Sequence, residues 1–144
     1  MEKVIVVLGG SLDPNSKSEI MLTQAQQAIE ACGSKAVMIP MSSLNLPFFS
    51  HQAKADNPQV DAFIEQVRQA DGIIIASPEY HSGVSGVLKN ALDFLTKDEV
   101  EHKAVGLMAV CGGASGGTST LNGLATIMGA LHAMVIPQQV IIGK

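Results

Sequence analysis

Short apolar runs alternate with helical patterns along this chain of 144 residues. The first run, residues 4–8, is apolar and mostly β-branched and ends at Gly9 and Gly10, which is typical of a strand buried on both faces. After a polar loop, apolar residues recur every three or four positions from Met21 to Cys32. That spacing predicts one apolar helix face, with Gly33 as the stop signal.

The same alternation continues to the end of the chain. Further strands are predicted at 35–41, 71–76, 104–111 and 135–142, and further helices at 58–67, 86–96 and 121–131. Residues 42–57 are predicted to form a loop. Strands that alternate with helices, joined by connections too long for hairpins, indicate right-handed βαβ crossovers. We therefore expect one α/β domain over residues 1–144, a doubly wound three-layer sandwich with a five-stranded parallel sheet.

Composition excludes several classes of protein. The chain is 47% hydrophobic, only 15% of its residues are charged, and its net charge is −4. It therefore lacks the basic surface that nucleic-acid binding needs, and it has no apolar stretch long enough for a membrane span. Cys32 and Cys111 have no partners at metal-ligand spacing. We expect no nucleic acid, membrane or metal among its ligands, and its N-terminal residues predict a strand and a cytoplasmic protein.

The last quarter of the chain carries unusually little charge. Residues 104–143 contain no Asp, Glu, Lys or Arg, and only Gly143 and Lys144 follow the last predicted strand. We therefore expect no helix to cover that flank of the sheet, and another subunit to cover apolar surface. The predicted helix 86–96 has an apolar stripe wide enough for such an interface, which would include Leu88, Leu92 and Leu95.

Three unusual loops follow three of the predicted strands. They are GGSLDPNSKS at 9–18, SPEYHSG at 77–83 and CGGASGG at 111–117. In open parallel sheets, ligands bind beyond the carboxyl ends of the strands, so these loops are expected to converge on one crevice.

The first loop leads into a helix N-terminus, which favours an anion. Ser11, Ser16 and Ser18 add hydroxyl donors there, and Lys17 adds a positive charge. Ser16 and Glu19 also match the S-x-x-E capping box, which requires no ligand. Phosphate binding and simple helix capping are both consistent with this loop.

Other nucleotide and hydrolase sites fit poorly. Strand one is not followed by G-x-G-x-x-G, strand two does not end in an acidic residue, and G-x-x-x-x-G-K-[ST] does not occur. The third loop matches G-x-S-x-G around Ser115, but only His132 and no carboxylate follows it. The triad order of α/β-hydrolases therefore cannot be assembled. Glycines that let a planar ligand approach the backbone are the better interpretation.

The segment 77–95, SPEYHSGVSGVLKNALDFL, resembles the signature of the NADPH-dependent FMN reductases, flavodoxin-like flavoproteins that include quinone, chromate and azo reductases. The loops at 10–12 and 112–117 lie where that family has its other flavin loops. The resemblance implies a flavodoxin-like fold without the usual C-terminal helix. It implies the following FMN-binding residues: Ser11, Ser16, Lys17 and Ser18 at the phosphate, Pro78, Glu79, Tyr80, His81 and Gly83 at the isoalloxazine, and Gly112, Gly113 and Ser115 along its other edge.

The implied activity is hydride transfer from NADPH or NADH through FMN to a small-molecule acceptor such as a quinone, metal ion, azo compound or free flavin. No catalytic side chain is required, because the cofactor carries the redox chemistry. The family also implies a homodimer or homotetramer. Asp13 stands where family members commonly have Arg in the phosphate loop. The alternatives are a flavodoxin-like electron carrier without substrate turnover and a degenerate protein with little flavin affinity.

Overall fold

The computed structural model describes residues 2–113 and 116–143. Its elements in chain order are β1 Val4–Gly9, α1 Lys17–Ala31, β2 Lys35–Pro40, α2 His51–Ala55, α3 Pro58–Gln69, β3 Gly72–Tyr80, β4 Gly83–Val84, α4 Gly86–Asp93, α5 Lys97–Val100, β5 Ala104–Val110, α6 Thr118–Ala130 and β6 Met134–Ile142. In these described ranges, no helix has the length and apolar character needed to cross a membrane.

Five parallel strands form the sheet, in the order β2-β1-β3-β5-β6. This is the flavodoxin-like order of a doubly wound sheet, and it confirms the predicted fold class. Helix α1 packs on one face, over β1, β2 and β3. The main core lies on the other face, where α3, α4 and α6 bury Phe63, Leu92 and Leu124 against the sheet. The sheet and the helices on its two faces therefore form three layers.

The leucines of α4, and Leu95 just beyond its end, lie in the core of their own subunit. Leu88, Leu92 and Leu95 have only 0%, 2% and 5% of their surface exposed. The prediction that these three side chains form a subunit interface is therefore wrong. A wide apolar stripe predicts burial, but the sheet and the neighbouring helices already cover it.

The far edge of the sheet is less well covered. Along β5, Val105, Leu107 and Ala109 are buried beneath α6, while Met108 on the α1 face is only partly buried. On the edge strand β6, Met134 is 57% exposed. Apolar surface is thus present where the uncharged segment 104–143 predicted it, and its contact with another subunit stays a prediction.

Several helix and strand boundaries differ from those that the sequence patterns predict. Residues 42–57 contain the short helix α2, capped by Ser50, whose Oγ accepts a hydrogen bond from Ala53 N at 2.9 Å. The helix predicted at 86–96 ends at Asp93, because a Thr96–Glu99 capping box starts the separate helix α5. Helix α5 is anchored by Glu99, which pairs with Arg68 of α3 at 2.7 Å.

Strand β3 is longer than predicted, because Pro78 misleadingly suggests a loop. Beyond Ala76 the strand no longer pairs with β1, but Ser77 and Pro78 still pair with β5. A proline is tolerated in a strand where its missing N–H faces no partner. Glu79 and Tyr80 then pair antiparallel with β4. The second loop is therefore the tip of a hairpin.

Candidate functional site

The three predicted loops meet at the carboxyl edge of the sheet, because β1, β3 and β5 are neighbouring strands. Hydrogen bonds join the first loop to the second. Gly10 N donates to Ala76 O at 2.8 Å, and the buried Ser85 Oγ donates to Gly10 O. Ser85 N donates to the Oγ of the fully buried Ser77 at 3.1 Å. We call the space between residues 10–18, 77–85, 111–113 and 116–117 the crevice.

Ser85 is a positioning residue that the sequence analysis missed. It occupies the N-cap of α4, but its side chain makes no capping hydrogen bond. The only sequence signal, a serine immediately before a helix, predicts capping. Its bond to Gly10 O spans 75 residues of chain, and only the fold shows that it holds the first loop.

The first loop brings its predicted hydroxyl groups to the start of α1. Ser16 Oγ accepts from Glu19 N at 3.3 Å and lies 2.9 Å from Ser18 Oγ. Ser18 and Ser11 are buried, and Lys17 is exposed. The N–H groups of Lys17 and Ser18 lie in the first helical turn, where the helix itself supplies no acceptor. Hydroxyl and amide donors are therefore concentrated where the phosphate was predicted.

The predicted capping box is only half formed. Ser16 caps the helix, but Ser16 N donates to Asp13 O at 3.1 Å and not to the Glu19 carboxylate. Among the described residues, Glu19 Oε1 is buried without a hydrogen-bond partner. Its burial raises the pKa of the Glu19 carboxyl above the ordinary value. Helix capping alone therefore does not explain the buried, unpartnered oxygen of Glu19.

The second loop is a tight hairpin turn at the mouth of the crevice. His81 and Ser82 both have positive φ, 51° and 61°, as in the two-residue turns that match the twist of hairpin strands. Tyr80 is 56% exposed, and Gly83 follows the turn in β4. Pro78 is buried in β3 opposite Val110. The turn thus presents Tyr80 and His81 outward.

Glu79 joins the second loop to the third. Its Oε2 accepts hydrogen bonds from Gly117 N at 2.9 Å, Thr120 Oγ1 at 3.0 Å and Thr120 N at 3.4 Å. Gly117, the N-cap of α6, has no side chain to cap the helix, so the Glu79 carboxylate takes that place. This role was not predicted, and the implied contact between Glu79 and the isoalloxazine stays a prediction.

The third loop combines open and crowded glycines. Gly112 and Gly113 are exposed, and a Cβ added to either would meet no atom within 4 Å. At Gly116, by contrast, a Cβ would overlap Cys111 Cβ and lie 2.8 Å from Glu79 Oε1. Ser115, the other predicted flavin residue of this loop, lies outside the described residues. The loop therefore leaves its first two glycines free to face a ligand.

A cleft of about 420 Å³ opens beside the first loop. Its lining carries no charge and includes Leu12, Leu46, Phe48 and Val87. Asn90 of α4 holds one wall in place, because its side chain accepts from Phe49 N at 2.8 Å and donates to Pro47 O at 2.9 Å. Phe48 itself is 91% exposed. The cleft suits an uncharged apolar group.

Two curated relatives resemble this chain in sequence. It is 39% identical over 98 residues to an NADPH azoreductase from a Bacillus species, covering 67% of this chain and 55% of that protein. It is 31% identical over 130 residues to an FMN reductase (NADPH) from Pseudomonas putida, covering 90% of this chain and 66% of that protein. The matched region thus spans between about half and two thirds of these relatives.

The fold is shared with a solved flavoprotein. The apo form of an NADH:FMN oxidoreductase superposes with a TM-score of 0.82 at 23% identity, covering 96% of this chain and 75% of that one. At this identity the likeness shows the fold alone. The family model described as NADPH-dependent FMN reductase matches residues 4–144, which include all three loops of the crevice. The chain therefore belongs to the NADPH-dependent FMN reductase family.

Proposed function

We propose that this protein is an FMN-dependent NAD(P)H oxidoreductase that reduces small-molecule acceptors. One observation supports the proposal: the donor-rich start of α1 and the open glycines of the third loop both lie at the carboxyl edge of the sheet. The family membership and the activities in the relatives' names support the same chemistry.

The phosphate end of the cofactor fits the first loop. Ser11, Ser16 and Ser18 would donate hydroxyl groups, and the first-turn N–H groups of α1 would donate to the remaining phosphate oxygens. Lys17 is the one cation in the loop, which also carries Asp13 and is followed directly by Glu19. The site therefore binds phosphate mainly through neutral donors.

The ring end fits the second and third loops. Gly112 and Gly113 leave the space that a side chain would occupy, so a flat ring can lie against their backbone. Tyr80 and His81 project from the hairpin turn beside them. Glu79 holds the two loops together by capping α6. When bound there, FMN supplies the redox chemistry, accepting hydride from NADPH or NADH and passing electrons to the acceptor.

The uncharged cleft favours an apolar acceptor such as a quinone over a metal oxyanion. It shares Leu12 with the first loop, and it reaches the start of α4 through Gly86. A charged acceptor would lose hydration there without gaining a partner. We also propose a cytoplasmic location and a homodimeric or homotetrameric assembly, for which the exposed side chains of β6 offer apolar surface.

The visible spectrum of the purified protein and a turnover assay test this function together. We expect flavin absorption in the blue, and steady NADPH consumption with a quinone and no partner protein. Flavin absorption without turnover would instead favour the flavodoxin-like electron carrier. A protein that stays colourless after FMN is added would contradict both and would indicate a degenerate site.

Removing the loop hydroxyls should weaken FMN binding. A hydrogen bond to a charged acceptor contributes about 1.5–3 kcal/mol, so Ser11→Ala and Ser16→Ala should each raise the FMN Kd about tenfold or more. Riboflavin, which lacks the phosphate, should bind both variants nearly as it binds the original protein. Ser34→Ala, at the opposite edge of the sheet, is the control. Unchanged FMN affinity in both variants would leave helix capping as the role of these serines.

Substitution of Phe48 should raise the KM for apolar acceptors selectively. Because its side chain is 91% exposed, Phe48→Ser should not destabilise the fold. Losing its apolar surface should raise the KM for an uncharged naphthoquinone about fivefold, which corresponds to about 1 kcal/mol. The KM for ferricyanide should not change, and Phe48→Leu should retain most of the quinone affinity. An equal effect on both acceptors would place the quinone outside this cleft.

A further inference from the structure

The Glu19 carboxylate lies in an unusual position beneath the first loop. A Cβ added to Gly9 would be 2.5 Å from Glu19 Oε1, so the carboxylate packs against the backbone at the end of β1. Among residues 2–113 and 116–143, this oxygen is buried and has no hydrogen-bond partner. A buried polar atom in this state is unfavourable, and most of all when it carries charge.

Glu19 is also part of the turn that would hold the cofactor phosphate. Its N–H donates to Ser16 Oγ, which in turn contacts Ser18 Oγ. The start of a helix stabilises negative charge. An ionised Glu19 carboxylate and a bound phosphate would share that stabilisation and would repel each other at short range.

We propose that Glu19 determines how strongly this site binds the phosphate of its flavin: the ionised carboxylate weakens FMN binding, and the protonated carboxyl does not. This inference rests on the proposed function, since it concerns the same phosphate site. It makes Glu19 a determinant of the preference for FMN over riboflavin. The neutral donors of the loop would hold the phosphate most strongly when Glu19 is neutral as well.

Burial, and not a neighbouring charge, shifts the pKa of the Glu19 carboxyl. Asp13 and Lys17, on the same loop and helix turn, are both exposed to solvent. Gly9 of β1, and Pro40 and Met41 at the end of β2, which pair or bond with Gly9, carry no charge. Burial raises the pKa of Glu19, and no neighbouring charge in the described chain contributes to that shift.

The raised pKa of Glu19 determines the direction in which pH should change FMN binding. Below its raised pKa Glu19 is protonated, and as the pH rises through that value the carboxylate forms and repels the phosphate. The phosphate of FMN itself titrates at about pH 6, which changes its own binding. A comparison of Glu19→Gln with the original protein at each pH removes that second contribution, because the flavin is the same in both.

Flavin affinity gives the first test. At pH 8 we expect Glu19→Gln to bind FMN about tenfold more tightly than the original protein, with riboflavin affinity unchanged. The difference should narrow as the pH is lowered, because protonation of Glu19 removes the repulsion. Glu30→Gln, about 16 Å further along α1, is the control and should change neither flavin's affinity. Glu19→Ala repeats the measurement should the glutamine variant fold poorly.

Stability without flavin gives the second test. A carboxyl whose pKa is higher in the folded protein stabilises the fold at low pH, and loses that contribution as the pH rises through the folded value. The Tm of Glu19→Gln should therefore increase relative to that of the original protein as the pH is raised from acidic to mildly alkaline values. A constant Tm difference would show that Glu19 does not titrate in this range, and would overturn the inference.

The outcomes separate this inference from the proposed function. If FMN and riboflavin bind but Glu19→Gln leaves their affinity ratio at pH 8 unchanged, the inference is overturned and the proposed function stands. If neither flavin binds to any variant, the proposed function fails and the inference fails with it. The inference is supported if the ratio of FMN affinity to riboflavin affinity at pH 8 is larger in Glu19→Gln than in the original protein. The two ratios should become equal at low pH.

Discussion

Replacing Glu79 with alanine should lower the free energy of unfolding by about 2 kcal/mol and should also release FMN. The carboxylate accepts three hydrogen bonds from Gly117 and Thr120, and it caps α6 in place of the missing side chain at Gly117. Without it, these donors lose their protein acceptor, and the hairpin loses its hydrogen bonds to Gly117 and Thr120. Chemical denaturation of the flavin-free protein and FMN titration measure the two effects separately.

Glutamine at the same position separates charge from shape. Glu79→Gln keeps one oxygen acceptor for Gly117 N, so it should lose only about half of the stability that alanine loses. Glu101→Ala, a partly exposed carboxylate outside the crevice, should change neither quantity appreciably. If Glu79→Ala were as stable as the original protein, α6 would not depend on this cap. If its stability fell while FMN affinity remained unchanged, the cap would be structural only.

The order of strands and helices was predictable because it depends on local patterns. A continuous apolar run such as residues 4–8 has few alternatives to a buried strand, and the apolar positions of α3 recur at helical spacing after Pro58. Boundaries were less predictable where tertiary contacts decide them. Pro78 remains in a strand only because β5 still pairs with it, and α4 ends before Thr96 because a second cap begins there.

The convergence of the three loops was predictable, whereas the hydrogen bonds that join them were not. Strand order places loops 10–18 and 111–117 on either side of the hairpin, and that order follows from the βαβ pattern. The bonds from Ser85 to Gly10 and from Glu79 to Gly117 span 75 and 38 residues of chain. No spacing rule connects residues so far apart. The apolar stripe that contains Leu92 likewise predicts burial, but it does not predict which surface covers the stripe.

Gly116 should tolerate no side chain, and Gly116→Ala is therefore expected to have a large effect. The new Cβ would overlap Cys111 Cβ and approach Glu79 Oε1 to 2.8 Å. Cys111 Cβ is attached directly to the backbone at the end of β5, so it cannot move aside as a long side chain would. We expect a loss of about 2–3 kcal/mol of stability, the upper part of the range for overpacked interiors.

Gly112→Ala provides the matched control, because it adds the same methyl group to the same loop where no atom lies within 4 Å. Its stability should stay within about 0.5 kcal/mol of the original. The clash at Gly116 also displaces the third loop from Glu79, so Gly116→Ala should weaken FMN binding at least tenfold even at temperatures where it remains folded. If both alanine variants had equal stability, the close packing between Cys111 and Glu79 would not constrain this loop.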